Sequence, residues 1–377
     1  MTASGKVTAR AVPHGGDMTD TQQIPTVDEA RAEAFVGQMI TDFAGAASTA
    51  MIVLGDRLGL FRALTGAGPV TAAGLAASTG LNPRLVTEWL HQMAVSGYVT
   101  VDGDRFELPL EHALALSVVD SPAYVVAAAE IITGYFLSME HLEKAFHGDG
   151  GLSGDEVPGC SYHGIERYFR TAYVNQLEQA WFPAVPGLVE KLEAGARVAD
   201  VGCGHGFADL LMARTWPRSS VTGFDMHEPS IATARARAIE AGSPANVSFR
   251  VADSASIAGH GPFDVVVYFD ALHDLGDPVA ALKAAYEALA PGGIVVAVEP
   301  WSSDDWTSTI GMPITRIGYA SSTALCTPGS LAQPGAYGLG TLGGPSKRLE
   351  LLARAGFTNP VLAADTGFNL VVAATKA

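Results

Sequence analysis

Three glycines at alternate positions, Gly202, Gly204 and Gly206, stand in the stretch VADVGCGHGFADLLMA. The apolar run before them has the composition of a strand, and the run after them has the apolar spacing of a helix. Glycine at the first strand-to-helix turn of a doubly wound sheet lets a ligand approach the backbone at the N-terminus of the helix. The stretch therefore predicts a cofactor-binding turn.

The spacing of these glycines separates two classes of cofactor. A dinucleotide fingerprint, G-x-G-x-x-G, would place its third glycine at position 207, which is Phe207. The arrangement G-x-G-x-G, with Asp200 two residues before the first glycine, suits S-adenosyl-L-methionine better. This ligand has no phosphate to hold, only an amino-acid end, a ribose and an adenine.

Two further acids close predicted strands. Asp225 ends SVTGFD, 23 residues after Gly202, where a carboxylate can accept hydrogen bonds from both ribose hydroxyls. Asp253 ends VSFRVAD, where it can meet the adenine amino group. Acids in such positions are also common as helix caps or solvated turn residues. Because the carboxyl ends of successive parallel strands open onto one crevice, the joint pattern favours cofactor binding.

One histidine is placed for acid–base chemistry. His273 follows the predicted strand FDVVVYFD, and Glu299 ends the predicted strand GIVVAVE. If these strands are adjacent, Glu299 can accept from one ring nitrogen while the other nitrogen takes the proton of a substrate hydroxyl. The alternative is that His273 and Asp274 only shape the turn before Asp277, which precedes a proline at a helix start.

A parallel sheet must stand behind these residues. From Ala196 onward, apolar strand-like runs alternate with helical patterns, which predicts an α/β fold with a Rossmann-like, doubly wound, mostly parallel sheet. We predict a disordered lead over residues 1–27, a helical and winged-helix domain over 28–120, a helical connector that lines the active site over 121–195, and the cofactor-binding domain over 196–377.

The winged-helix prediction comes from VTAAGLAASTGLNPRLVTEWLHQMAVSGYVTVDGDRFELPL. This stretch predicts a short helix, a turn at Gly80, a second helix, and two short strands joined at Asp102-Gly103. In the second helix, one face is apolar, with Leu85, Val86, Trp89, Leu90 and Met93.

The charge of the chain argues against nucleic acid as a partner. The 377 residues include 23 Lys plus Arg and 39 Asp plus Glu, a formal net charge of −16. Residues 71–120 hold two arginines, no lysine and six acids, so the winged helix lacks a phosphate-binding surface. Three scattered cysteines favour a reducing cytoplasm, and no apolar stretch reaches the roughly 20 residues that span a bilayer.

These motifs carry a family resemblance. Ala196 to about Glu299 resembles the core of class I S-adenosylmethionine-dependent methyltransferases in motif order and spacing. From about Phe35 to the C-terminus, the chain resembles small-molecule O-methyltransferases of plants and bacterial antibiotic pathways. It is closer still to a bacterial group of winged-helix methyltransferases whose substrates are mostly unassigned. The candidate cofactor-binding residues are Asp200, Gly202, Cys203, Gly204, Gly206, Asp225, Met226, Asp253, Ser254, Phe269 and Asp270.

The resemblance also implies catalytic roles. His273 and Asp274 are similar to a His-Asp pair whose histidine is the general base, and Glu299 falls on the position of an acid that orients it. Those enzymes usually carry a second acid in a later loop, whereas the corresponding AYGLGTLGGPS contains none. The resemblance further implies that the N-terminal domain forms a homodimer, which also agrees with its alanine-rich helices having apolar faces to cover.

The segment SYHGIERYFRTAYVNQ resembles a helix that closes over cofactor and substrate. Phe169 and Tyr173 are therefore candidates to line the pocket, although aromatics at this spacing equally fit a core, and Glu166 is a second-choice base. Other side chains available to an apolar acceptor pocket are Tyr135, Phe136, Met139, Trp181, Phe182 and Met312.

The expected reaction is methyl transfer to a hydroxyl of a small molecule. Transfer to nitrogen or carbon is an alternative, as is a cofactor-binding regulator or scaffold without turnover. No metal is expected, because His147, Cys160 and His163 match no familiar zinc spacing.

Overall fold

The computed structural model describes residues 27–341 and 343–377. Apart from Val27, the predicted lead over residues 1–27 lies outside the described residues. The chain divides into two compact units, Met1–Ala47 and Ser48–Ala377. This division falls inside the predicted helical domain of residues 28–120, and the predicted boundaries at 120 and 195 stay predictions.

Helices open the described part of the chain. The helical periodicity of residues 28–64 forms two helices, because Gly59 adopts a left-handed backbone with φ 70° between them. No helix among the described residues is long and apolar enough to cross a membrane. The elements of the N-terminal region are α1 (Glu29–Arg57), α2 (Leu60–Leu64), β1 (Val70–Thr71), α3 (Ala72–Thr79), α4 (Pro83–Val95), β2 (Thr100–Asp102), β3 (Arg105–Glu107) and α5 (Leu110–Leu116).

The predicted winged helix is present. The αL residue Gly80 ends α3, and the Asn82 side chain caps α4 by accepting from the Arg84 and Leu85 backbone N–H groups. The wing is a small antiparallel sheet in the order β1-β3-β2. Four of the five predicted apolar residues of α4 are buried, but Leu85 is 69% exposed. Leu85 lies in the first turn of α4, at the edge of the buried stripe.

The helical connector is divided into more helices than the sequence pattern predicts. Its elements are α6 (Ala127–Leu137), α7 (Met139–His147), α8 (Gly159–Gln176), a π-helical turn (Leu177–Trp181) and α9 (Leu188–Gly195). The sequence pattern predicts one helix from Pro122 to about Phe146, but the structure divides it at Ser138. The pattern predicts a second helix from about Gly164 to Glu193, but this one ends in the π-helical turn, and α9 starts only after Gly187, where φ is 76°.

The rest of the chain forms the expected sheet, with strands in the order β6-β5-β4-β7-β8-β10-β9. The first five strands in this order are parallel, and the last two are antiparallel. Elements in chain order are β4 (Arg197–Val201), α10 (Phe207–Thr215), β5 (Ser220–Asp225), α11 (Glu228–Glu240), β6 (Val247–Val251), β7 (Phe263–Phe269), α12 (Pro278–Ala288), β8 (Leu289–Pro300), α13 (Pro313–Ser321), α14 (Thr327–Leu331), α15 (Gly344–Arg354), β9 (Thr358–Asp365) and β10 (Asn369–Thr375).

Hydrophobic cores cover both faces of this sheet. Alternate residues of β7 point to opposite sides, so Val265 and Val267 join one cluster while Val266 and Tyr268 join the other. A strand buried on both faces reads as a continuous apolar run, as FDVVVYF does. The parallel strands consequently present their carboxyl ends along one edge of the sheet, where the predicted site residues lie.

Candidate active site

The turn after β4 depends on the conformational freedom of glycine. Gly202, Gly204 and Gly206 have φ values of 81°, 52° and 75°. A Cβ at Gly202 would lie 2.7 Å from the Ala271 side chain, and one at Gly206 would lie 2.6 Å from the Phe249 ring. At Gly204, none of the surrounding atoms of the described residues lies within 4 Å of such a Cβ. Two of the glycines thus permit close packing, and the third leaves open space beside the turn.

Asp225 ties the end of β5 to this turn. Its Oδ2 atom accepts from the Gly204 backbone N–H at 2.9 Å, and its Oδ1 atom accepts from the His227 N–H at 2.8 Å. Each carboxylate oxygen has a second lone pair, so Asp225 retains the capacity to accept two further hydrogen bonds.

Two buried acids and one half-buried acid lie around the same turn. Asp200 and Asp209 are 1% and 0% exposed. Burial raises the pKa of Asp209 to about 7, and burial together with the charge of Asp209 raises the pKa of Asp200 well above its usual value. The Oδ1 atoms of Asp200 and Asp270 are buried, with no hydrogen-bond partner among the described residues. Buried acceptors without donors fit a ligand that brings its own, such as a charged amino group.

A cavity of about 140 Å³ joins these features. Its walls are one side of α8, the glycine turn with the start of α10, and the end of β7. Nine residues predicted from the sequence line it: Glu166, Phe169, Tyr173, Asp200, Gly202, Cys203, Gly204, Phe269 and Asp270. A wider surface depression of about 650 Å³, bordered by Glu140 and Lys144 of α7, contains none of the predicted site residues.

Other predicted cofactor residues lie outside the cavity walls. The Met226 side chain is 57% exposed. Asp253 is exposed and caps the 3-10 helix that Ser254 begins, because its Oδ1 atom accepts from the Ala255 N–H at 2.7 Å. The capping role that acids often take at strand ends is thus present at Asp253, and its second oxygen stays available.

The predicted acceptor-pocket residues have diverse surroundings. Trp181 and Phe182 are fully buried and belong to the core around Phe269, so their assignment to a pocket wall is wrong. Tyr173 also packs on Phe269, with ring centroids 5.4 Å apart. The Tyr135 hydroxyl bonds Ser321 Oγ at 2.5 Å. Of the remaining candidates, Phe136 is 61%, Met139 is 47% and Met312 is 38% exposed.

Glu166 is engaged in ion pairs rather than free to act as a base. Its carboxylate lies 2.6 Å from His205 Nδ1 and 2.5 Å from an Arg237 guanidinium nitrogen. Burial raises the pKa of Glu166, but the hydrogen bonds of His205 and Arg237 outweigh burial and lower the pKa to about 2. Because of these contacts, Glu166 is not free to act as the second-choice base. They also connect α8 to the glycine turn and to α11. The pairing of His205 with Glu166 has no signal in the sequence.

His273 and Glu299 lie together as expected. β7 and β8 are neighbours, with Phe269 opposite Val298. His273 stands in a 3-10 turn after β7, and its Nδ1 atom lies 2.9 Å from Glu299 Oε2. The other carboxylate oxygen accepts from the Leu272 N–H at 3.1 Å. Both side chains are buried, at 1% and 0% exposure.

Arg348, which the sequence reasoning missed, supports Glu299 from behind. It is fully buried on α15, with Nε 3.4 Å from Glu299 Oε2. Its other nitrogens donate to the carbonyls of Gly344 and Thr341 and to Ser302 Oγ. The arginine that contacts Glu299 therefore comes from α15, which begins at the end of AYGLGTLGGPS.

The outer nitrogen of His273 faces two more polar side chains. Nε2 lies 3.3 Å from Asp274 Oδ1, and Cys326 Sγ lies within 4.8 Å of both groups. Burial lowers the pKa of His273, but the charges of Asp274 and Glu299 outweigh it and raise the pKa well above its usual value. Cys326 comes from the segment between β8 and β9, and the sequence reasoning missed it.

Comparisons with known proteins identify two domains in the chain. Residues 192–322 match the family described as a methyltransferase domain, and residues 46–118 match the Rv2258c-like winged HTH domain. A ubiquinone biosynthesis O-methyltransferase of Pseudomonas aeruginosa (strain LESB58) is 34% identical over 122 residues, 32% of this chain and 50% of that protein. The chain thus spans about half the length of the curated relatives it matches.

Solved structures share the fold over nearly the whole chain. An O-methyltransferase family protein from Burkholderia thailandensis superposes with a TM-score of 0.66 at 17% identity, covering 91% of this chain and 98% of its own. Human N-acetylserotonin methyltransferase, solved in complex with SAM, gives 0.67 at 18% identity, with 91% and 98% covered. Residues 192–322 accordingly form a methyltransferase domain with the class I fold, behind an N-terminal winged HTH domain.

Proposed function

We propose that this protein transfers a methyl group from S-adenosylmethionine to a hydroxyl of a small-molecule acceptor, with His273 as the general base. The observation that carries the proposal is the His273–Glu299 contact of 2.9 Å. His273 is three residues beyond Asp270, and Asp270 lines the cavity at the glycine turn. The neighbours named as O-methyltransferases support the choice of oxygen.

The chain offers a matching contact for each part of the cofactor. The unpartnered carboxyl oxygens of Asp200 and Asp270 suit its amino group, and the open backbone at Gly204 lets it approach the turn. Asp225 has lone pairs left for the ribose hydroxyls, and Asp253 has one oxygen left for the adenine amino group. Bound S-adenosylmethionine supplies a methyl group on a positively charged sulfur.

In this proposal the protein aligns the acceptor and removes its proton. The neutral form of His273 takes the hydroxyl proton at Nε2, while Glu299 accepts from Nδ1–H and stabilises the imidazolium that forms. Because the charges of Asp274 and Glu299 raise the pKa of His273, turnover should rise with pH to above the usual range of histidine. Arg348 holds Glu299 in place. The absence of a second acid in AYGLGTLGGPS is therefore compatible with an oriented histidine.

An acceptor that enters by way of α8 would meet Phe169 and Tyr173, which line the cavity. We infer an acceptor of secondary metabolism that is partly apolar. A nitrogen or carbon acceptor, and a regulator that binds the cofactor without turnover, are the competing functions, and neither needs the proton transfer assigned to His273.

We also propose that a second copy of the chain covers α1. Three large apolar side chains of this helix, Phe35, Ile40 and Phe43, are 59%, 62% and 63% exposed. Apolar groups so close along one helix favour association with an apolar partner.

The test of the proposed reaction is a search for its product. Purified protein is incubated with a metabolite extract and S-adenosylmethionine labelled in the methyl group. The proposal expects a labelled small molecule whose methyl group is on oxygen, together with release of S-adenosylhomocysteine. A label found on carbon or nitrogen would instead support methyl transfer to that atom. A His273→Ala variant that yields the same product at the same rate would rule out His273 as the general base.

A further inference from the structure

The side chains of His273, Asp274 and Cys326 supply three different kinds of metal ligand at one point. Their ligand atoms, Nε2, a carboxylate oxygen and Sγ, all lie within 4.8 Å of one another. In a tetrahedral zinc site with bonds of about 2.0 to 2.3 Å, neighbouring ligand atoms are about 3.3 to 3.7 Å apart. The Nε2–Oδ1 distance of 3.3 Å already falls in that range.

The groups behind these ligands also match those of a metal site. A histidine that binds a metal through one nitrogen usually donates its other N–H to a carboxylate, as His273 Nδ1 does to Glu299 at 2.9 Å. The Thr341 hydroxyl donates to Cys326 Sγ at 2.9 Å, a contact that orients the sulfur. The Oδ1 atom of Asp274 is buried, and it has no hydrogen-bond partner among the described residues. Glu299 thus orients the histidine and Thr341 orients the thiol, and the Asp274 carboxylate faces both of them.

We propose that His273, Asp274 and Cys326 bind a thiophilic divalent cation of the zinc class, with one coordination position left open. Coordination replaces the Cys326 S–H bond by a sulfur–metal bond, and the proton goes to solvent. Imidazole nitrogen, thiolate and carboxylate together favour zinc over magnesium or calcium, which prefer oxygen ligands alone.

This site has a consequence for turnover, and that consequence rests on the proposed function. The bound ion occupies the Nε2 lone pair that is assigned to the acceptor proton. Metal binding and proton removal by His273 therefore exclude each other, and zinc inhibits methyl transfer to a hydroxyl. The binding step itself needs neither cofactor nor acceptor, so it is measured separately.

The test is titration of the metal-free, full-length protein with Zn²⁺ against a coloured chelator, and with Co²⁺ followed by absorbance. We expect one ion per chain and a sulfur-to-cobalt charge-transfer band. Cys326→Ser should abolish the band and weaken binding by at least about 100-fold, the upper range for loss of a mere supporting partner. Thr341→Val should weaken binding about 10-fold and keep the band.

Cys160→Ser is the matched control, because Cys160 is a free cysteine outside the cluster. It should bind zinc like the wild type. Equal binding by the wild type and Cys326→Ser, or loss of the ion in Cys160→Ser, would overturn the site. If zinc binds as proposed but O-methyl transfer continues unchanged, the site stands and the base assignment of His273 fails.

Discussion

The Nδ1 atom of His273 lies 2.9 Å from Oε2 of Glu299, although 26 residues separate them in the sequence. The register of two neighbouring parallel strands creates this contact, since Phe269 at the end of β7 stands opposite Val298 of β8. Three donors meet the Glu299 carboxylate: His273, Arg348 and the Leu272 backbone N–H. The orientation of the imidazole is therefore set by the sheet and by α15, not by a mobile loop.

His273→Ala should lower turnover by roughly 10²- to 10⁴-fold, the usual contribution of a general base. Binding of S-adenosylhomocysteine should change little, because His273 is not among the residues that line the cavity at the glycine turn. Glu299→Gln should cost less, since the ring remains. Single-turnover rates and calorimetry on the same samples measure both quantities. Near-normal turnover in His273→Ala would show that the acceptor needs no base.

Arg348→Met should destabilise the fold by about 3 to 5 kcal/mol, because it removes the guanidinium partner of the buried Glu299 carboxylate. Both side chains of the pair are 0% exposed. Lys347→Met is the matched control, since the Lys347–Glu350 pair is on the surface and contributes about 0 to 1 kcal/mol. Urea unfolding of the two variants makes the comparison. Equal losses of stability would mean that Arg348 does not hold Glu299.

The buried Asp209 carboxyl makes the stability of the cofactor-free protein depend on pH. Its pKa is raised from 3.8 to about 7, so folding favours the protonated form. The stabilisation from this group is complete in acid and is lost as the pH rises through about 7. The melting temperature should therefore fall between roughly pH 4 and pH 7, the range between the unfolded and folded pKa values.

Asp209→Asn should flatten this decline, because the amide cannot ionise. Asp264→Asn is the control: Asp264 pairs with Arg197, and the balance of burial and this pairing lowers its pKa. The decline should persist in Asp264→Asn. A melting temperature that rises with pH over this range in the wild type would contradict the assignment.

Light scattering tests the second copy proposed for α1. At micromolar concentration the full chain should have twice the mass of one copy, 39.1 kDa. Replacing Phe35, Ile40 and Phe43 by serine should give a single copy, because it removes the exposed apolar groups. Val95→Ser, at an apolar position of α4 that is 86% exposed, should leave the mass unchanged. A wild-type chain that is monomeric would rule the dimer out.

Periodicity and turn residues were sufficient to predict the sheet, because its central strands are apolar runs and because β4, β5 and β7 end at or just before glycine or aspartate. They also predict that Gly202, Asp200 and Asp270 lie close together, and all three line the cavity. Helix breaks at Ser138 and Gly187 were missed, because tertiary packing decides them. Trp181 was misplaced for a similar reason, since periodicity does not distinguish a core aromatic from one at a cavity.

The partners of the histidine and of Glu166 were harder to predict. Arg348 and Cys326 come from the segment after β8, whose path no sequence pattern determines. The pairing of Glu166 with His205 and Arg237 joins three elements that are distant in the chain. Contacts of this kind depend on how helices dock, and no local spacing encodes them.

Calorimetry with S-adenosylhomocysteine tests most directly whether the turn after β4 and the ends of β5 and β7 bind S-adenosylmethionine. We predict one site per chain and no binding of NAD. Asp225→Ala should weaken binding by roughly 1.5 to 3 kcal/mol, the range for hydrogen bonds to a charged group. Asp264→Ala, at the amino end of β7, should bind normally. Binding of NAD, or an unchanged affinity of Asp225→Ala for S-adenosylhomocysteine, would contradict the assignment of this site.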